Sequence, residues 1–362
     1  MAITFDIITE PAGFQRLQTP WNDLCQRSPV DHAFMRHEWF SCWIRHLMIG
    51  GGRMWFVVGR DGDDLVLAAP MLITREKLRG VPARIMRFAA STITPRCNFL
   101  GETEAPWTEL FEFITGHAPA DLILTNGMGE SAAPTALWRR YLDESRSHKL
   151  VVEEGRKSPY LTCRGEWSEF FGGLSKSFRR NLRYYVRELE KHGSWEVDRL
   201  TTYAEFKQYL PQLIEVSARS WKGEEGTDLR SLPQVVDFLD DFSRLGEADG
   251  LWEIWVLTID KRPIAFHYYL RGTDAISAIR TDFDLAFKTY SPGNVLQQEI
   301  LRHLFGRDET WECDMGGQSY EYKLKWTEQI RSHVDVWTAG SGFYGRLLMV
   351  GKARLLPLLS RD

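Results

Sequence analysis

The chain has 362 residues, 43% hydrophobic and 26% charged, which is a globular balance and too long for one ordinary core. A formal net charge of −4 argues against wholesale nucleic-acid binding. No apolar run of about 18 residues predicts a membrane span, and the start has neither the basic nor the apolar region of a signal peptide. The five cysteines, Cys25, Cys42, Cys97, Cys163 and Cys313, are scattered without a C-x-x-C pair. They predict buried reduced thiols in a cytoplasmic protein, with neither a disulfide framework nor a metal site.

In chain order, an extended start over 3–9 leads to helical patterns over 13–25 and 37–48. Residues 55–73 then read as strand, Asp-Gly turn and strand, a hairpin. Strands near 85–88 and 122–125 and a helix near 135–147 complete the first half. The polar, turn-rich stretch Glu153, Glu154, Gly155, Arg156, Lys157, Ser158, Pro159 predicts a boundary. Beyond it the order repeats: extended over 195–200, helical over 203–219 and 233–245, and a hairpin over 252–270. Two occurrences of strand, helix, helix, hairpin predict a duplication. An apolar strand over 275–282, a helix opened by Ser291, Pro292, Gly293 and Asn294, and a strand over 310–315 follow. A last extended stretch over 332–338 is expected to close the second sheet. The expected domains are 1–155, 160–340, and a basic apolar tail over 341–362.

Four pieces of the second half stand out. They are the basic run from Leu174 to Arg183, the group Ala218, Arg219, Ser220, Trp221, Lys222, Gly223, and the pair of motifs Thr281-Asp282-Phe283-Asp284 and Tyr290-Ser291-Pro292-Gly293. The fourth is Asp314-Met315-Gly316-Gly317 followed by Tyr320, Tyr322, Lys323 and Trp326. In order and spacing, residues 165–335 resemble the double-GNAT acyltransferases of the CelD/BioF2-like family, relatives of the FemABX peptidyltransferases. The resemblance implies an α/β fold of two tandem GNAT-like domains. It also implies N-acyl transfer from acyl-CoA, a co-substrate and not a tightly bound cofactor, to an amine. The first half matches by architecture only.

A helix start after a strand offers amides and a favourable dipole to a donor's pyrophosphate, so Ser291, Pro292, Gly293 and Asn294 are candidate donor-binding residues. The longer Arg/Gln-x-x-Gly-x-Gly/Ala loop of typical GNAT proteins is missing here. The alternative reading is a plain strand-to-helix turn. Acylating an amine needs a proton acceptor and a donor for the oxyanion or leaving thiolate. Asp314 and His267 are the acid/base candidates, and Tyr320 and Lys323 the charge-stabilising ones. Against these stand an Asp314 that caps a turn, a satisfied core His267 and an ordinary exposed Lys323. Trp221, Arg179, Arg183 and Asp282 are candidate substrate-binding residues. Lys176, Arg179, Arg180, Arg183 and Arg187 share a helical stripe that is either a solvated face or a seat for an anionic group.

The tail mixes Arg346, Lys352 and Arg354 with many leucines and suits either an anionic membrane surface or packing on the body. The family and this tail point to an envelope acceptor, either an amino sugar or a lipid amine such as a sphingoid base, at the inner-membrane surface. Two rival functions remain at this point: FemABX-like transfer from aminoacyl-tRNA, and a non-catalytic GNAT pair that binds a nucleotide or lipid.

Overall fold

The hairpins form where the turn residues put them, and each sits in its own unit of the chain. The computed structural model describes residues 3–30, 32–48, 51–78, 80–90, 93, 95–145 and 150–359, with side chains to 353. The chain divides into one unit of 1–156 with 331–362 and a second of 157–330.

In the first unit, Thr4–Ile8 pairs antiparallel with Phe56–Asp61. That strand turns at Gly62, whose φ of 61° favours a residue without Cβ, into Asp64–Ala69. The expected helix over 13–25 is two helices, Pro11–Gln15 and Gln18–Arg27, because the chain makes a tight turn between them, with Leu17 N–H donating to Phe14 O. His37–His46 buries Trp39, Phe40 and Trp43 against this hairpin's side of the core. Met71–Leu78 and Val81–Phe88 form a further antiparallel pair, and Val81–Phe88 runs parallel to Leu122–Gly129 across the helix Trp107–His117. The predicted helix near 135–147 is described as Ala133–Glu144, and residues 146 and 147 lie outside the described residues.

The stretch over 332–338 does not close the second sheet. It lies in Ile330–Ala339, which pairs antiparallel with Leu122–Gly129 of the first unit. The polar stretch 153–159 is likewise extended, inside the strand Val151–Cys163. Gly155 reads as a turn residue in sequence. Its place is instead set by close strand approach, since a Cβ there would stand 2.8 Å from His333 O. The tail forms the helix Phe343–Leu359 in the first unit. Met349 is fully buried, Gly345 lies tight against Asp121 O, and Lys352 meets Glu153 at 2.7 Å. Phe343 is 84% exposed, and Leu347 is exposed as well. The side chains of Arg354, Leu355, Leu356, Leu358 and Leu359 lie outside the described residues.

In the second unit the strand order is Trp195–Leu200, Trp252–Ile259, Arg262–Arg271, Ala275–Phe283, Trp311–Asp314 and then the end of Val151–Cys163. The hairpin turns on Asp260 and Lys261, both at positive φ, which matches the mirror-image turn that twisted hairpins prefer. Trp252–Ile259 and Arg262–Arg271 are buried nearly throughout, as strands covered on both faces are. Tyr203–Ala218 starts in a capping box of Thr202 and Glu205. Pro292–Phe305 packs its Val295, Leu296, Ile300 and Leu301 into a core with Trp255, Leu257, Tyr269 and Trp311. Both units thus share an antiparallel hairpin and a parallel strand pair spanned by a helix. This is an α/β fold of two tandem GNAT-like domains.

Candidate active site

Ala275–Phe283 and Trp311–Asp314 run parallel, but only Ala275, Ile276 and Ser277 find partners, in Glu312, Cys313 and Asp314. Beyond Ser277 the first strand continues to Phe283 with no strand on that edge among the described residues, while the second ends at Asp314. A register shift at Tyr268 and Tyr269 marks the same place on the neighbouring strand. Strand pairing therefore ends in the middle of the sheet, where a substrate can enter between backbones.

Ionisable side chains gather around this opening. His267, 6% exposed, lies on the strand opposite Thr281. Its Nδ1 is 3.3 Å from the Tyr269 hydroxyl, which donates to Gln297 Oε1 at 3.0 Å. Burial pushes its pKa down to about 3, Asp282 pulls it the other way, and the charges of Lys222 and Lys323 add to the fall. The imidazole is therefore neutral at ordinary pH. Asp282 is buried between Lys222 Nζ at 2.5 Å and Arg280 Nε at 2.7 Å. Burial alone would raise its pKa, but the two cations outweigh it and hold the carboxyl below its usual range. Lys222 also donates to Thr281 O at 2.9 Å, and burial lowers its pKa.

Lys323 is 4% exposed and so is not an ordinary surface lysine. Its Nζ donates to Gly316 O at 3.1 Å and Gly317 O at 3.2 Å, and lies 5.4 Å from the ring centre of Tyr320 and 5.8 Å from that of Tyr322. Tyr320 itself is exposed and stacks on Tyr322. Asp314 is fully buried, and its Oδ1 accepts from Gly316 N at 2.8 Å. Gly316, at φ 78°, has no room for a side chain, since a Cβ would stand 2.6 Å from Ala278 O. The Gly-Gly turn thus ties Asp314 and Lys323 to the open edge of the longer strand.

The helix Pro292–Phe305 starts beside the same cluster. Ser291 caps it in a left-handed conformation at φ 47°, and Pro292 takes the first helical position. The backbone N–H groups of Asn294 and Val295 both donate to Ser291 O, and Asn294 Nδ2 donates to Ser291 Oγ. Asn294 Oδ1 accepts from Trp326 Nε1 at 3.0 Å. Gly293 is the open position: a Cβ would make only ordinary contacts, 3.8 Å to Phe283 and 3.9 Å to His267 Nε2. An anionic donor group at this start would meet fewer amides than at a glycine-rich loop.

The structure therefore brings His267, Asp282, Gly293, Lys323 and Asp314 to the two sides of one opening. Of the remaining candidates, Tyr320 lies beside Lys323, Ser291, Pro292 and Asn294 form the helix start, and Arg179, Arg183 and Trp221 lie outside these contacts. Arg183 is exposed on the helix Lys176–Glu190 and packs over Phe171, while Arg179 is half-buried on the same helix with Nε unpartnered. Trp221 is exposed, with its ring 5.6 Å from Lys222 Nζ. Lys222 stands in the Ala218–Gly223 motif of the sequence without an assigned role, and Arg280 stands outside the motifs. A lysine directly after Trp221 and an arginine two residues before Asp282 were the available signals. Among the described residues no group of acidic, histidine and cysteine side chains could hold a metal ion, and no helix is long and apolar enough to cross a membrane.

Residues 176–324 match the model of the acetyltransferase (GNAT) domain. No curated protein sequence matches the chain. Among solved structures, FemX superposes with a TM-score of 0.57 at 10% identity, covering 93% of this chain and 97% of its own. The C-terminal domain of a putative lysylphosphatidylglycerol synthetase from Agrobacterium fabrum gives 0.54 at 12%, covering 96% and 97%. The L-PGS structure from Bacillus licheniformis gives 0.52 at 12%, covering 95% and 97%. At these identities the likeness is one of fold. With the domain match over residues 176–324 it supports a chain of two tandem GNAT-like domains that shares the fold of FemX.

Proposed function

We propose that the second unit transfers an acyl group from acyl-CoA to an amine at the opening beside Ser277 and Asp314. The observation that carries this reading is the unpaired edge of Ala275–Phe283, flanked by Lys323 on one side and the helix start at Gly293 on the other. The donor's pyrophosphate would lie at residues 291–294 and its thioester at the opening. The amine nitrogen attacks the thioester carbonyl, the new C–N bond forms, and the C–S bond breaks with the thiolate leaving. No covalent enzyme intermediate is needed.

Lys323, held by two carbonyls, supplies positive charge to the oxyanion or the departing thiolate. Asp314 receives or relays the amine proton. His267, with a pKa near 3, is too weak a base to take a proton from an ammonium group and serves as a neutral hydrogen-bonding wall beside Gly293. The acceptor is an amine on an envelope component, an amino sugar or a lipid, and the exposed Phe343 and Leu347 on the tail helix favour a lipid surface. Replacing Gly293 by Pro tests the donor site. It removes one amide from the helix start, so acetyl-CoA affinity in calorimetry should fall about tenfold in a folded variant. Undiminished affinity would place the donor elsewhere.

A second reading, transfer from aminoacyl-tRNA, is favoured by one feature. Lys176, Arg180, Arg183 and Arg187 are all exposed along the helix Lys176–Glu190. It requires that turnover depend on charged tRNA and not on acyl-CoA.

A further inference from the structure

The far end of the helix Pro292–Phe305 carries a second charged cluster that the reading above does not use. Arg199 and Glu253 pair on neighbouring strands, with Arg199 Nε and Nη2 at 3.1 and 2.6 Å from Glu253 Oε2. Trp255 Nε1 donates to Glu253 Oε1 at 2.7 Å, so both oxygens of this fully buried carboxylate are occupied. Two further guanidiniums then stand without a carboxylate. Arg271, at the end of Arg262–Arg271, and Arg307, just past the helix, both pack over the Trp311 ring, at 5.5 and 4.1 Å from its centre. Neither makes an ion pair among the described residues. Arg307 Nη2 reaches only His303 Nε2, at 3.1 Å. Arg307 Nε and the indole N–H of Trp311 are buried without any hydrogen-bond partner.

Such an arrangement costs free energy as it stands. Burial lowers the Arg307 pKa, the Arg199 and Arg271 charges lower it further, and Glu253 and Glu309 oppose them only in part. His303 is lowered by burial and by Arg199 and Arg307, again opposed by Glu253. Like charges held together, with donors left unmet in a half-buried setting, are what a bound anion relieves. Neither Arg271 nor Arg307 has a carboxylate in ion-pair contact among the described residues, so a phosphate can offer a charged oxygen to each. A single carboxylate would leave one unanswered. The helix has 14 residues, so about 20 Å separates this cluster from the start at Ser291.

We propose that Arg271, Arg307 and the Trp311 N–H, with His303 at the rim, form a binding site for a phosphate-bearing ligand, separate from the donor opening. Histidine side-chain NMR on the full-length protein tests it, because His303 reports this site and His267 the other. Inorganic phosphate should shift the His303 resonances saturably and raise its pKa, and leave those of His267 at lower amplitude or unmoved. Arg271→Gln should weaken this response at least about tenfold, and Arg271→Gln with Arg307→Gln should abolish it. Melting temperature checks folding, and the single variant decides should the double one fail to fold. Three results would overturn the site: no saturable movement of His303 up to tens of millimolar phosphate, a response that survives in Arg271→Gln, or an equal response to acetate, which would remove the case for a phosphate.

Discussion

The side chains at the opening owe their properties to burial more than to their types. Lys323 is a candidate in the sequence through the motif it stands in, and the fold adds that it is enclosed by two tyrosines and a Gly-Gly turn. Removing it tests its assigned role. Lys323→Ala should lower kcat about a hundredfold, roughly 3 kcal/mol, and change donor affinity much less, as expected for charge that matters in the transition state. Asp314→Asn keeps an oxygen for the Gly316 N–H, so it separates a turn cap from a proton acceptor. A cap alone predicts wild-type rates, whereas the proposed role predicts a loss that deepens at low pH.

His267 gives a pH signature. Its folded pKa of about 3 lies below the ordinary 6.5, so between those values the unfolded chain binds a proton that the folded chain does not. Stability is therefore complete above pH 6.5 and falls as pH drops, by up to about 1.4 kcal/mol per pH unit from this group. His37 and His303 are also lowered and act in the same direction. The contribution of His267 is thus the difference between wild type and His267→Gln in melts from pH 7 to 4. The variant should show a flatter decline, and parallel curves would mean that His267 is not held neutral. Sequence placed His267 on a strand face and Lys222 in a motif but did not tie Lys222 to Asp282, because an ion pair between segments 60 residues apart leaves no local pattern.

At the scale of elements, the hairpins were legible because turn chemistry is local: Asp-Gly in one, and Asp260 and Lys261 at positive φ in the other. The strand Val151–Cys163 was not, because Gly155 and Pro159 read as breakers, while the close approach that requires a glycine comes from His333, far along the chain. Two glycines of the site should respond in opposite ways. Gly293→Ala meets only ordinary contacts and trades a flexible residue for a good helix former, so stability should hold or rise by up to about 1 kcal/mol. Gly316→Ala forces a Cβ against Ala278 O at positive φ and should cost about 2 kcal/mol or more, together with activity. Denaturant melts of the two variants measure both, and equal stabilities would contradict the tight turn.

For the whole molecule, the repeated order of elements made the tandem architecture readable, whereas the fate of the last strand was not. Ile330–Ala339 and the helix after it return to the first unit, and periodicity cannot say which sheet a strand joins. The tail is accordingly both packing and surface. Met349 is buried and Lys352 pairs with Glu153, while Phe343 and Leu347 face outward. Deleting 343–362 should therefore destabilise the first unit by about 2–5 kcal/mol, the cost of losing a buried Met with its helix. The substitution of Phe343 and Leu347 by Ser should instead leave the melt unchanged and abolish co-sedimentation with anionic vesicles. Unaltered co-sedimentation of that double variant would remove the tail from any membrane contact.

In the proposed reaction the second unit moves an acyl group from CoA to an amine at the opening beside Lys323. It is tested most directly by following thiol release from acetyl-CoA and longer acyl-CoAs when purified protein is mixed with an amine-containing cell extract, alongside Lys323→Ala. Protein-dependent thiol release is expected, matched by an acylated amine in the mass spectrum and reduced about a hundredfold in the variant. Thiol release equal in wild type and folded Lys323→Ala, or none with any acyl-CoA, would contradict it.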